Sequence, residues 1–266
     1  MVVMCWRLGK AIVLSASLVV VAGLFVARDY ISLPLELFFA KKLQKRIESA
    51  LTPGHKTVAL YRLMEEVHRL FELRGIIYWI DGGTLLGAIR NKGIIPTDDD
   101  LDICVFAKDE PKVKALVPLL EKRGLKLTYL KEARFFKIVS KENPNVWADI
   151  FFVRSMEKKE AIHYADKWHR LGYPHCFNEK KDLWPLKLVP FGPIQVWSPA
   201  NPLSYLERAY GPMWKSVAYI SKHKDEAGPP RPLRFSVPLA WSQVLRDPAP
   251  WPLNKDEKNA LAVRLK

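Results

Sequence analysis

The sequence predicts an α/β (α+β) domain, a mixed sheet with flanking helices, preceded by one N-terminal transmembrane helix. Three observations carry this. Short apolar runs at Ile76–Ile80 and Trp147–Val153 have strand length and sit between turn residues. Amphipathic stretches at Lys56–Arg74 and Asp109–Arg123 have helical period. Ala11–Ala27 holds seventeen uncharged, mostly apolar residues, about 26 Å as a helix.

In chain order, residues 1–10 form a short tail carrying Arg7 and Lys10. Residues 11–27 are the signal-anchor. A cleaved signal peptide is the rival reading, since Ala22, Gly23 and Ala27 are small. Positive charges flank the run on both sides, so charge count alone favours neither orientation. Residues 28–55 read as a basic stem with Lys41, Lys42, Lys45 and Arg46, ending in Pro53-Gly54.

The globular domain spans 56–220. Lys56–Arg74 lines up Leu60, Leu63, Met64, Val67, Leu70 and Phe71 on one face, with His68 an ordinary surface histidine. The Ile76–Ile80 strand then enters Asp81-Gly82-Gly83, and Thr84–Arg90 has helical character. Asp109–Arg123 is expected as one helix, and Leu125–Leu130 with Arg134–Ser140 as hairpin strands leading to Trp147–Val153. A polar region with His163, His169, His175 and Cys176 follows, whose spacing matches no zinc pattern. Aromatic and proline-rich strands span Leu183–Trp197, and Asn201–Tyr210 reads as a short helix. Residues 221–266 are a proline-rich tail, expected to be extended and packed through Trp241 and Trp251.

Three cysteines exclude a disulfide scaffold. Cys104 reads as a small buried hydrophobe; only it and Cys176 lie beyond the anchor and are able to pair. The net charge of +14 suits anionic lipid surfaces or a nucleotide diphosphate. Its lysines and arginines are spread without a dense run, so nucleic acid is an unlikely partner.

The chemistry concentrates in Tyr78–Phe106. Paired glycines at a strand-to-helix turn let backbone N–H groups approach a ligand, and a helix N-terminus favours anions. Asp98, Asp99, Asp100 and Asp102 place four carboxylates within five residues. In a strand, Asp98, Asp100 and Asp102 share one face and Leu101, Ile103 and Val105 the other. Carboxylates stacked in this way repel, and Mg²⁺ or Mn²⁺ is the cation that suits them. The alternative is an acidic solvated turn. Asp149 is the single charge of its apolar run, so it either pairs with a buried Arg or Lys or faces the same metal. Lys137, between Phe136 and Ile138, either reaches a diphosphate or faces solvent.

These residues resemble the LicD family, which includes fukutin and fukutin-related protein. The resemblance is carried by YWIDGGTLLGAIRNKGIIPTDDDLDI, by RFFKI at Arg134–Ile138, by WADIFF at Trp147–Phe152 and by Tyr205–Gly211. It implies a nucleotidyltransferase-like fold that moves a phosphorylated small alcohol, such as ribitol phosphate or phosphocholine, from a CDP-linked donor to a sugar hydroxyl of a glycan or glycoconjugate. It implies that Asp100, Asp102 and Asp149 bind metal and that Asp98 leads the catalytic cluster. Gly82, Gly83 and Thr84 match the turn beside the donor phosphates, and Arg90 the arginine after it. Thr97 departs from the usual Trp before the acidic cluster. The resemblance also implies a single-pass type II protein of the Golgi or ER membrane with a lumenal catalytic domain. Two other classes share an acidic core or an anchor: a nucleotidyltransferase acting on RNA or a small molecule, and a catalytically silent, membrane-anchored subunit of a glycosylation complex.

Overall fold

A computed structural model describes residues 40–156, 160–220 and 235–251. The chain divides into two compact units, 1–50 and 51–266. Of the first, residues 40–50 are described and form a helix, α1. The stretch 11–27 lies outside the described residues, among which no helix is long and apolar enough to cross a membrane.

The second unit opens with α2 (Gly54–Leu73), whose buried face carries the six apolar residues the sequence aligns. His68 is not a plain surface residue: its Nδ1 lies 2.6 Å from Tyr78 Oη, and the ring meets Tyr78 edge-on. Strand β1 (Tyr78–Ile80) is followed at once by α3 (Gly82–Arg90) and then β2 (Leu101–Phe106). The expected single helix at 109–123 is instead a 3-10 turn at Ala107–Asp109 followed by α4 (Glu110–Lys114) and α5 (Val117–Lys122). Pro118 gives the reason. It has no N–H for the carbonyl one turn back, and its ring clashes with that carbonyl, so the helix must restart there.

The hairpin β3 (Leu125–Leu130) and β4 (Phe135–Ser140) leads to β5 (Trp147–Met156), the ten-residue spine of the sheet. The order is β1-β2-β5-β4-β3, with β6 (Ala161–Tyr164) on the far half of β5 and β7 (Asn178–Glu179) beyond it. The β2–β5 pair is parallel and its neighbours are antiparallel, so the sheet is mixed. Leu101, Ile103, Ala148, Ile150, Phe136 and Ile138 face the main core under α2 and α3. On the opposite face, Trp79, Cys104, Val153, Ile162 and Tyr164 form a second cluster with Leu183.

The remaining elements brace this sheet. They are α6 (Lys167–Gly172), α7 (Lys180–Leu183), the hairpin β8 (Lys187–Phe191) and β9 (Ile194–Ser198), and α8 (Leu203–Tyr210). Then come the paired β10 (Val217–Ile220) and β11 (Phe235–Pro238), and α9 (Gln243–Arg246). The described tail is not simply extended. Asn91, at the end of α3, is buried and donates to the carbonyls of Leu245, Arg246 and Asp247 at 2.9–3.1 Å. Trp251 packs edge-on against Tyr61, whereas Trp241 is 71% exposed and anchors nothing.

Candidate active site

Strand register builds the centre. In the parallel β2–β5 pair Asp102 stands opposite Asp149, and in the antiparallel β4–β5 pair Asp149 stands opposite Lys137. Residues directly opposite share a sheet face, so three neighbouring strands present Asp, Asp and Lys in a row. Lys137 Nζ lies 3.4 Å from Asp149 Oδ1, an ion pair whose angles fall short of a hydrogen bond. Of the two readings of Asp149, the pairing with a lysine is met by Lys137, and the carboxylate also faces the other acids, as the metal reading requires.

The other acids arrive differently from the expectation. Strand β2 begins at Leu101, so Asp98, Asp99 and Asp100 lie in the preceding turn rather than on a strand face. The turn still gathers them: Asp98 N–H donates to Ile95 O at 2.8 Å, and Thr52 Oγ1 donates to Asp98 O at 2.7 Å. One carboxylate oxygen from each of Asp100, Asp102 and Asp149 lies within 4.8 Å of the others, and Asp98, Asp99 and Asp100 form a second such group. Asp99 is tied to Lys56 at 3.0 Å. Among the described residues both convergent groups are acidic, and none joins the histidines to Cys176.

The start of α3 closes against this centre. Gly83 N–H donates to Asp102 Oδ2 at 3.0 Å. A Cβ on Gly82 would stand 2.5 Å from Asp102 Oδ2, and one on Gly83 would stand 2.5 Å from Asp98 Oδ2. Gly82 also has φ +49°, in the left-handed region that favours glycine. The paired glycines thus let two carboxylates lie against the positive end of the helix. Thr84 is buried away from the cleft, and its hydroxyl accepts the Asp102 N–H at 2.8 Å. Its place is beneath Asp102, holding that strand end.

Crowding and burial set the electrostatics. Burial first, then the neighbouring Asp100 and Asp98, push the Asp102 carboxyl well above the usual carboxylate range. Burial and then Asp100 do the same to Asp98. Asp149 is raised to about 7 by burial, with Lys137 opposing. A divalent cation among them would favour the charged forms. Arg90 is pulled down to about 10 by burial. Its guanidinium holds Trp214 O and Val217 O at 3.3 Å while feeling the charge of Asp98.

These groups line one cleft of about 1530 Å³. Gly82, Gly83, Arg90, Asp98, Asp100, Asp102, Lys137 and Asp149 all border it, and Thr84 does not. Its walls also include residues that local sequence patterns did not single out, among them Trp147, Tyr164, Trp168, Tyr173 and Tyr210. Tyr164 Oη donates to Asp81 Oδ2 at 2.7 Å, and Gly82 N–H donates to Tyr205 Oη at 3.3 Å. Asp81 is itself buried at the head of α3, and its carboxyl is raised by that burial. A carboxylate ending a buried strand was the available signal for Asp81. Tyr205 and Tyr210 lie in the Tyr205–Gly211 stretch that carries the family resemblance, whereas Tyr164 and Tyr173 come from distant segments with no local signature.

Residues 75–201 match the model of the LicD/FKTN/FKRP nucleotidyltransferase domain. This segment belongs to the LicD family. Uncharacterized protein RP689 of Rickettsia prowazekii is 40% identical over 167 residues, 63% of this chain and 59% of its own. Ribitol 5-phosphate transferase FKRP of Mus musculus is 29% identical over 174 residues, 62% of this chain and 34% of its own. Lipopolysaccharide cholinephosphotransferase LicD of Haemophilus influenzae is 43% identical over 53 residues, 20% of each chain. The chain spans about half the length of the first two curated relatives it matches.

Proposed function

We propose that this chain, whose residues 75–201 match the LicD-family domain, is a metal-dependent transferase that moves a phosphorylated small alcohol, such as ribitol phosphate or phosphocholine, from a CDP-linked donor to a sugar hydroxyl. The observation that carries the reading is the register that sets Asp102 beside Asp149, with Asp100 converging on both. Buried carboxylates that crowd one another suit a cation-binding role better than a structural one. Hard oxygen donors of this kind suit Mg²⁺ or Mn²⁺, held by Asp100, Asp102 and Asp149. The ion's contribution, when bound, is to neutralise charge on the donor diphosphate and on the departing phosphate.

The chain's own groups do the rest. In this reading Lys137, already paired with Asp149 at the edge of the acid row, meets a diphosphate oxygen. Arg90 adds a positive charge that interacts with Asp98 in the same cleft. The Gly82-Gly83 turn contributes through the acids, since its amides donate to Tyr205 Oη and Asp102 Oδ2 and seat Asp102 at the head of α3 beside the phosphates of this reading. The acceptor hydroxyl attacks the phosphorus that carries the alcohol, the bond from that phosphorus to CMP breaks, and CMP departs. Asp98, whose carboxyl has a raised proton affinity, is the acceptor of the hydroxyl's proton or orients that hydroxyl. We carry the 11–27 anchor and a lumenal Golgi or ER placement forward with this reading. Protease protection of the catalytic domain in sealed microsomes tests them, and cleavage without detergent refutes them.

The direct test is binding of CDP to the full chain with and without Mn²⁺, beside Asp102→Asn. Binding that requires the metal and fails in the variant supports the transferase. Unimpaired metal-dependent binding in Asp102→Asn refutes the metal assignment.

A further inference from the structure

The cleft has a wall that the acids do not explain. Helix α6 has no buried residue, yet it is held firmly at the cleft mouth. The Asp166 side chain accepts from Trp168 N–H at 2.8 Å and His169 N–H at 3.2 Å, capping the helix. His169 Nε2 lies 2.6 Å from Ala133 O, and Arg170 Nη1 donates to Tyr164 O at 2.6 Å and to Ala165 O at 2.7 Å. On this fixed mount stand two large aromatic side chains, Trp168 at 52% exposed and Tyr173 at 56% exposed. Both line the same cleft as the acids, whereas Leu171, the most exposed apolar side chain of α6, does not.

Exposed aromatic rings cost solvation unless something covers them, and a contiguous set in a groove marks a ligand surface. Here the rings are interleaved with polar groups. The Arg134 guanidinium and the Lys167 ammonium lie 5.8 and 5.0 Å from the Trp168 ring centre, so the wall offers apolar faces and hydrogen-bond donors side by side. A sugar ring presents the same alternation, with a C–H face for an aromatic surface and hydroxyls around its edge. Tyr173 connects this wall to the reaction centre. It borders the same cleft as Asp100, Asp102 and Asp149, so a ring lying on the wall shares that space with the acids.

We propose that Trp168 and Tyr173 form the acceptor platform, a carbohydrate-binding wall that lays a sugar ring against the cleft and turns a hydroxyl toward the acidic centre. The choice of a sugar rests on the transferase reading above. Because α6 buries nothing, a substitution at Trp168 leaves the core untouched.

The test is saturation-transfer NMR on the full chain with three free probes: methyl β-galactopyranoside, methyl α-mannopyranoside and N-acetylglucosamine. Mn²⁺-dependent CDP binding is measured in parallel on each protein. The expected result is transfer to the C–H protons of at least one sugar, lost in Trp168→Ala and in Tyr173→Ala, restored in Trp168→Phe, with CDP binding unchanged throughout. Equal transfer in Trp168→Ala, or none to any of the three sugars in the unaltered chain, overturns the platform. Absence of CDP binding alongside Trp168-dependent sugar binding overturns the transferase reading instead and leaves the platform standing.

Discussion

The raised proton affinity of Asp149 makes the acidic centre a pH-dependent weakness that the proposed metal ion would offset. The carboxyl is buried and pushed from 3.8 to about 7 by that burial, against the opposing pull of Lys137. A shift of about 3 units corresponds to about 4 kcal/mol between the neutral and charged forms. The sign follows from which state holds the proton. Below pH 3.8 both folded and unfolded chains are protonated at this group, and it contributes nothing. Between 3.8 and about 7 the unfolded chain has released the proton and the folded chain retains it, so rising pH favours unfolding. Above about 7 the penalty is complete and constant.

Asp149→Asn resembles the neutral acid at every pH, and the pull of Lys137 is already included in the net shift. In urea unfolding with a chelator present, the variant is therefore expected to pull ahead of the unaltered chain as pH rises from 4 to 8, by up to about 4 kcal/mol. Saturating Mn²⁺ should then close most of that gap at pH 8, because an ion bound only to the folded state adds about 2.7 kcal/mol at a hundred times its dissociation constant, and the variant has lost a ligand. A stability gap that is the same at every pH, or one in which the unaltered chain gains on the variant as pH rises, refutes the electrostatic argument.

Three further outcomes are expected. Gly83→Ala drives a methyl to 2.5 Å from Asp98 Oδ2 and should cost about 1–3 kcal/mol in urea unfolding, relieved in a Gly83→Ala/Asp98→Ala double variant. Tyr61→Phe removes a hydroxyl that accepts the Ile94 N–H at 2.8 Å and donates to Ala249 O at 3.2 Å; leaving those buried groups unpaired should cost about 1–3 kcal/mol by the same measurement. Lys137→Met withdraws the charge that lowers Asp149, so the pH midpoint of Mn²⁺ binding, followed by calorimetry, should move to higher pH.

Much of the framework was legible because its signals are local. The apolar run into Asp81-Gly82-Gly83 marks β1 and the head of α3, and the run around Asp149 marks β5, since strand length and turn residues lie within one short window. The acids were also legible as a group. What brings them together was not. Asp102 and Asp149 meet through a parallel pairing across a long crossover, and pairing partners leave no imprint on periodicity. Reading Asp98 and Asp100 as strand residues extended a true alternation back into the turn that precedes it. The break between α4 and α5 was written in Pro118 and outweighed by the apolar period around it. Asn91 reads as an ordinary helix end; that it clasps the tail three carbonyls deep depends on residues more than 150 positions away. Tyr164, Trp168 and Tyr173 likewise owe their place to β6 and α6 folding back over the sheet edge.

The β2–β5 register ties correct folding to the chemistry. Side chains alternate faces along a strand, so sliding β5 by one residue against β2 would turn Asp149 into the apolar core and bring Ala148 or Ile150 to the acid row. The core would reject such a slip through a buried charge, and the cation site would lose an oxygen ligand at the same moment. Because this pair joins strands separated by α4, α5 and the β3–β4 hairpin, a chain competent to bind the proposed ion has made a long-range pairing that local helix formation alone does not supply. With the proposed cation site, metal affinity would report register: it would separate a finished sheet from a compact but misaligned one that otherwise shares its helix content.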